Sequence, residues 1–341
     1  MTAPAFTHLH VHTQYSMLDG AIRLPDLIEK CKEYGMESIA VTDHGAMFGA
    51  LEFYTKAKKA DIKPIIGAEL YIAPRSRRDR KKVDGQVAYH LVLLAMNYTG
   101  YLNLMKMASI AQHEGFYYKP RIDKEILREY NEGIIALTAC LHGEVPYYIH
   151  KNEMDTAREK AKELLDIFGD RLYFEIQENG IAEQQIANEG ILKLSKELGV
   201  KVVAPNDCQY LNREEAHAHE VLLCIQTGKT IDDPKRFRYS TDEFYLKTQE
   251  EMAERFAYCP EAIANTQEVA DRCNVEINLG DYYFPDFPVP EGETLDTMFT
   301  RACEEGLQKR FAKMAETDYL TPELEKKYRE RLAMEIDAVS Y

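Results

Sequence analysis

From residue 6 to about residue 205 the chain repeats one pattern: a short, nearly continuous apolar run, then a longer stretch with apolar positions three or four residues apart. The short runs read as buried strands and the longer stretches as amphipathic helices that cover them. Strands are expected at residues 6–11, 38–42, 63–72, 90–96, 133–138, 172–177 and 201–204. Helices are expected from residue 24 to about 34, 48–60, 98–113, 155–168 and 182–198, the first opened by Pro25 near its first turn. Seven such strands joined by helical crossovers put the chain in the α/β class with a parallel sheet. That sheet is a closed barrel or an open doubly wound sheet. No Gly-x-Gly-x-x-Gly follows the first strand, which favours the barrel.

With 341 residues there is length for one barrel-sized domain and an appendage. Pro285, Pro288 and Pro290 exclude a regular helix over residues 280–293, which reads as an extended connector. Residues 295–338 are mostly helical, with Pro322 near the start of the last helix. The expected division is a barrel over residues 1–280 and a connector with helices over 281–341. No stretch has the roughly 20 apolar residues of a membrane span, and the start lacks the charged and apolar regions of a signal peptide. The expected setting is the cytoplasm. Seven Cys without C-x-x-C spacing argue for free thiols over a disulfide framework.

Chemistry concentrates where the strands end. His10-Val11-His12 places two imidazoles on one side of an extended strand, a half-site for a borderline divalent ion. His8 shares that face but sits deeper, in a core or supporting position. Asp19 lies in the loop after the first strand. Thr42-Asp43-His44-Gly45 ends an apolar strand in polar groups, and Glu69 interrupts another apolar strand with a carboxylate that must be paired or metal-bound. His90, Cys140 and Asp207 add donors at strand boundaries. His90 is awkward, because it opens its strand instead of ending it, and it is read as closing the preceding loop over the site. Glu175 is a candidate supporting carboxylate. Asn206 is placed to orient Asp207. His113, His142 and His150 are read as surface or local-packing residues, and His217 and His219, two apart on a helix, diverge. Eight donors exceed what one ion needs, so two or three divalent ions (Zn, Mn or Fe) are implied, with Glu69 placed to bridge two of them.

The formal charge of −15 disfavours non-specific attraction to a polyanion, so a nucleic-acid substrate would need bound cations or another domain to supply positive field. One local exception is Arg75, Arg77, Arg78, Arg80, Lys81 and Lys82. This run is either a solvated mobile loop or a phosphate-contacting flap beside the site.

The motifs THLHVHTQYSMLDG, IAVTDHGAMFGALEFYTKAKKADIKPIIGAELYI, HLVLLAMN-x-x-GYLNLMK and HEVLLCIQTGKTI resemble the polymerase and histidinol phosphatase (PHP) family, most closely its form at the amino terminus of bacterial replicative DNA polymerase III alpha subunits. The resemblance covers essentially the whole chain. It implies a distorted seven-stranded (β/α)7 barrel with a trinuclear metal centre held by His10, His12, Asp19, His44, Glu69, His90, Cys140 and Asp207. It also implies phosphodiester hydrolysis at the 3′ end of DNA as a proofreading exonuclease, with His10, His12, Asp19, His44, Glu69 and Asp207 as the catalytic set. The partners implied are DNA, the remainder of the polymerase subunit, and replisome proofreading and clamp proteins, with no membrane.

One position departs from the family's Asn-Asp-x-His: Gln209 offers a neutral amide where an imidazole is usual, a weaker donor to the ion held by Asp19 and His44. A structural PHP domain with little turnover and a phosphomonoesterase similar to histidinol phosphatase are the competing readings. The family's palm carries an Asp-x-Asp pair, and none occurs in this chain, so no DNA synthesis is expected from it alone.

Overall fold

The computed structural model describes residues 5–282, 284–317 and 319–340. It clusters into two units, Met1–Ile277 and Asn278–Tyr341. The described strands, in chain order, are β1 (Ser38–Val41), β2 (Lys63–Ile72), β3 (Tyr89–Ala95), β4 (Arg121–Ile122), β5 (Ile134–Leu137), β6 (Leu172–Glu175) and β7 (Val202–Val203). The helices of the first unit are α1 (Leu24–Glu33), α2 (Ala50–Lys59), α3 (Tyr98–His113), α4 (Lys124–Glu129), α5 (Glu144–His150), α6 (Met154–Phe168), α7 (Ala182–Leu198), α8 (Ala216–Thr227), α9 (Gln249–Arg255) and α10 (Pro260–Arg272). Two features show why the longer helices fall where the periodicity puts them. The Asn97 side chain caps α3 by accepting from Gly100 N at 3.0 Å, and Gly199, at φ +69°, takes the left-handed turn that ends α7.

The strands form one curled sheet in the order β1-β2-β3-β5-β6-β7, with β4 beside the end of β2. Residues 8–13 make only isolated bridges, not the regular first strand expected from the pattern. They still link the two edges of the sheet. Ala40 N donates to His8 O and Thr42 N to Val11 O, both at 2.9 Å, on the β1 side. On the other side, just beyond β7, His12 N donates to Cys208 O at 2.8 Å and Cys208 N to His10 O at 3.1 Å. The fold is therefore barrel-like, as expected, with an irregular stave carrying the paired histidines.

The all-parallel expectation fails at one strand. β1-β2, β5-β6 and β6-β7 are parallel, but β3 runs antiparallel to both β2 and β5. The segment between β2 and β3 contains no helix, so no crossover carries the chain back to the other end of the barrel. The beginning of β3 thus lies with the ends of the parallel strands, and His90 pairs directly with Tyr71, two residues beyond Glu69. Its awkward sequence position is what a reversed strand requires.

Period-two alternation along the strands separates two apolar layers. Ala40, Ile65, Val92, Leu94, Ile135, Leu137, Tyr173 and Val203 pack inside with Leu9 and with Val269 and Ala270 of α10. Ile39, Val41, Ile66, Leu70, Leu91, Leu93 and Phe174 face outward into the larger helix-covered cluster. On β2 the inward set continues from Ile65 to Glu69, where the apolar filling stops.

The basic segment after β2 is held by two buried arginines. Arg77, 4% exposed, donates to Asp123 and Glu114, and Arg121, fully buried, donates to the carbonyls of Arg77, Asp79, Val87 and Gly115 at 2.7–3.2 Å. These bonds anchor a segment whose Arg75, Arg80, Lys81 and Lys82 remain exposed to solvent. In the second unit, α11 (Leu295–Ala315) and α12 (Pro322–Val339) each begin at a threonine cap, Thr294 and Thr321. The Phe311 and Tyr328 rings meet edge to face between them.

Replacing Arg121 with Met keeps an apolar stem but strands four carbonyls, those of Gly115 and Arg77 buried. Arg121→Met is expected to lower unfolding free energy by about 3 kcal/mol in urea titrations and to open residues 75–88 to protease cleavage. An unchanged midpoint with an uncut loop would show that Arg121 pins nothing.

Candidate metal centre

Glu69 is the hub. Its carboxylate is 1% exposed, and its Oε1 lies 3.3 Å from His10 Nε2 and 3.0 Å from His90 Nδ1. Its Oε2 lies 2.6 Å from His44 Nδ1 and 3.7 Å from His12 Nε2. Two groups of donor atoms converge there, His10-His12-Glu69 and His44-Glu69-His90, each within 4.8 Å of one another. Asp207 Oδ1 joins the first at 3.4 Å from His12 Nε2. Asp19 Oδ2 joins the second at 3.2 Å from His44 Nε2, and Cys140 Sγ approaches His90 Nδ1 at 3.9 Å. All eight donors singled out from the sequence therefore come to one end of the barrel, drawn from separate loops and strands.

Hydrogen bonds behind the cluster set which nitrogen faces inward. His10 Nδ1–H donates to Glu175 Oε1 at 2.7 Å, which turns Nε2 toward Glu69. Ser16 Oγ donates to Asp43 Oδ1 at 2.8 Å, so toward His12 Nδ1, 3.2 Å away, it acts as acceptor. His12 Nε2 is then bare as well. The His12 and His44 rings stack at 3.9 Å, which fixes the second imidazole against the first.

Apart from the close contacts they make with one another, the inward-facing atoms have no partners among the described residues. His10 Nε2, His12 Nε2, His44 Nδ1 and both Glu69 oxygens are buried and unsatisfied among the described residues. Native proteins leave few such groups, and a ring of nitrogen and carboxylate donors aimed at common points is what divalent cations require. The residues present fit that role.

Electrostatics agree in sign. Burial alone would raise the Glu69 carboxyl, but the neighbouring His90, His44 and His10 imidazoliums hold it well below the usual carboxylate range. Burial would likewise depress His44, yet Glu69 and Asp19 push it up to about 10. Protons on the imidazoles offset the carboxylates here, and metal cations would offset them in the same place.

Glu175, expected as a supporting carboxylate, does orient a histidine. His8 is core: its Nε2 meets Lys247 O at 2.8 Å, and it stands in neither converging donor group. Gln209 is buried, with Nε2 donating to Asp207 Oδ1 at 2.7 Å and Oε1 unsatisfied. Asn206 donates its amide to Tyr245 O, not to Asp207.

His217 and His219 diverge as expected, one exposed and one buried, and two histidines outside the donor set pack beside it. His142 lies with Nδ1 3.7 Å from Cys140 Sγ and its ring stacked on His90, and His219 Nε2 donates to Asp19 O at 2.8 Å. The signal for His142 was present, two residues past a donor at a strand end. Tyr239 and Phe237, which line the wall of the same roughly 300 Å³ cavity with Lys119 and Tyr71, come from segments without periodicity and gave none.

A family profile described as the PHP domain matches residues 8–179. The DNA polymerase III subunit alpha of Borreliella burgdorferi is 46% identical over 309 residues, covering 90% of this chain and 27% of that protein. The Thermus aquaticus subunit is 48% identical over 320 residues, covering 90% and 26%. That of Helicobacter pylori strain J99 is 42% identical over 360 residues, covering 98% and 29%. The chain thus spans just over a quarter of the length of these relatives. Among solved structures, a putative metal-dependent phosphoesterase from Bifidobacterium adolescentis aligns with TM-score 0.39 and 15% identity over 60% of this chain and 88% of that one. A two-domain PHP-like protein from Bacteroides vulgatus aligns with TM-score 0.40 and 12% identity, over 78% and 63%.

Two measurements probe the cluster. Glu175→Gln should weaken Mn or Zn binding by about 10–100-fold while leaving the fold intact, because His10 loses the partner that orients it; unchanged affinity would remove Glu175 from the centre. Since His44 holds its proton up to about pH 10 without a cation, cation binding must expel it. Affinity should therefore rise with pH through neutrality and fall on acidification. Calorimetry in buffers of different ionisation enthalpy should show proton release, and its absence would contradict the assignment of His44 as a donor.

Proposed function

The chain belongs to the PHP domain family, and from that premise we propose that it is the amino-terminal PHP region of a bacterial replicative polymerase alpha subunit, hydrolysing phosphodiester bonds at the 3′ end of DNA. The observation that carries this reading is the Glu69 carboxylate, buried among four imidazoles that converge on its two oxygens. His10, His12, Glu69 and Asp207 would hold one divalent ion, and His44, Glu69, His90 and Cys140 a second. A third would rely on Asp19, His44 and Gln209. Zn, Mn or Fe in these positions would supply Lewis acidity toward a phosphate and a low pKa for attacking water.

The protein's own groups do the positioning. Glu175 and the Ser16-Asp43 pair keep His10 and His12 in the tautomers that face the cavity. Tyr71, Phe237, Tyr239 and Lys119 wall it, offering apolar faces to a base or sugar and one ammonium to a phosphate. In this reading the partners are DNA, the rest of the polymerase subunit, and replisome proofreading and clamp proteins. The setting is the cytoplasm, with no membrane.

Gln209 supports a second reading. Its amide is tied to Asp207 and supplies no imidazole, so a domain that binds metal to brace the polymerase, with little turnover, is the competing case. A 5′-labelled oligonucleotide assay separates the two. Glu69→Gln should lose at least about 100-fold in rate and Asp19→Asn a comparable amount, while Gln209→His should raise the rate. Activity that survives Glu69→Gln or chelation belongs to a contaminant, and a protein that binds metal tightly yet stays inert as Gln209→His is structural.

A further inference from the structure

The pinned loop between β2 and β3 carries charge that the barrel leaves unmatched. Arg75, Arg80, Lys81 and Lys82 are exposed, and none has a carboxylate within 4.0 Å among the described residues, whereas Arg77 and Arg78 in the same run are paired. Four adjacent cations repel one another, and an acidic chain has carboxylates in excess with which to neutralise them. Here the carboxylates that reach the loop from outside it, Glu114, Asp123 and Glu125, are spent on Arg77 and Arg78, the first of which anchors it. Arg121 holds the backbone of Arg77 and Asp79 from beneath. At the far side Tyr147 and Tyr148 donate to Asp84 at 3.1 and 3.3 Å. The free cations therefore stand on an anchored frame and, outnumbering Asp79 and Asp84, line a cleft of about 700 Å³ with Arg78 and Arg121. Ordering them in advance lowers the entropy lost when a ligand binds.

The roots of this loop identify what it serves. It leaves β2 three residues after Glu69 and enters β3 one residue before His90, so both ends rise from the rim of the candidate metal centre. We propose that residues 73–88 form a backbone-binding site for a single-stranded polynucleotide whose terminus lies in the metal centre. The site reads phosphate charge and not base sequence: four free cations can each neutralise a phosphate, and the loop offers no aromatic side chain for stacking. Naming a polynucleotide rests on the phosphodiester reading of the centre, but the binding itself does not depend on hydrolysis. The loop would supply locally the positive field that the whole chain, at −15, lacks.

The test is fluorescence anisotropy of the full chain with 5′-labelled oligothymidylate in chelator, across a salt series. Replacing Arg75, Arg80, Lys81 and Lys82 together with Ser should raise Kd at least about tenfold at low salt. It should also reduce the slope of log K against log salt by roughly 2–3, at about 0.7 per phosphate contact. Arg75→Lys with Arg80→Lys should keep both, showing that charge is read. An unchanged Kd and slope in the Ser variant overturns the proposal. So does displacement of the oligonucleotide by pyrophosphate or by polyglutamate at equal charge, which would assign the loop to small anions or to an acidic peptide. Glu69→Gln, run beside it in the hydrolysis assay, keeps the two readings apart. Loss of binding in the loop variant stands even if Glu69→Gln leaves hydrolysis intact, and a loop variant that binds normally fails even if Glu69→Gln abolishes it.

Discussion

A carboxylate only 1% exposed must be neutralised, and Glu69 sets that demand at the centre of this fold. Its two oxygens face His10, His90, His44 and His12 within 3.7 Å, and these imidazoles come from the irregular first segment, the loop after β1 and the start of β3. No local element could assemble that ring. Closing the sheet through residues 8–13 brings the histidines over β2, so barrel closure and donor convergence are one event. An unpaired charge at this depth would cost several kcal/mol, which makes the cluster a condition of the fold as well as its candidate site.

The surrounding polar groups are arranged to aim donors more than to satisfy them. Glu175 and the Ser16-Asp43 pair bond the outer nitrogens of His10 and His12, and the inner nitrogens are left bare. Around the mouth the chain changes character, with aromatic rings and Lys119 on the cavity wall and a cationic loop fixed by buried arginines beside it. In a chain of net charge −15 this loop is a local concentration of positive charge, and Arg77 and Arg121 anchor it.

Much of this was legible in the residues. Periodicity located α3 and α7 at their observed bounds, where the Asn97 cap opens α3 and Gly199 ends α7. The donor list was legible because His, Asp, Glu and Cys at strand ends are poor core residues. The first strand was not. Residues 8–13 have a strand's composition but bond to β1 on one side and to Cys208 on the other without a regular ladder. The contacts of His142 with His90 and of His219 with Asp19 O were not legible, because spacing along a helix or loop says nothing about what stands across the cavity. Asn206 was assigned to its sequence neighbour Asp207, while its amide reaches Tyr245 O, 39 residues away.

The amino-acid sequence by itself determined the donor chemistry, the strand-and-helix alternation and the cationic run, because these depend on residue type and local spacing. Only the tertiary structure decided the direction of β3, the partners of Gln209 and the pinning of the cationic loop. Strand direction follows from whether a crossover returns the chain to the same end of the sheet. The other two follow from which groups, distant in sequence, share the dry space that packing leaves.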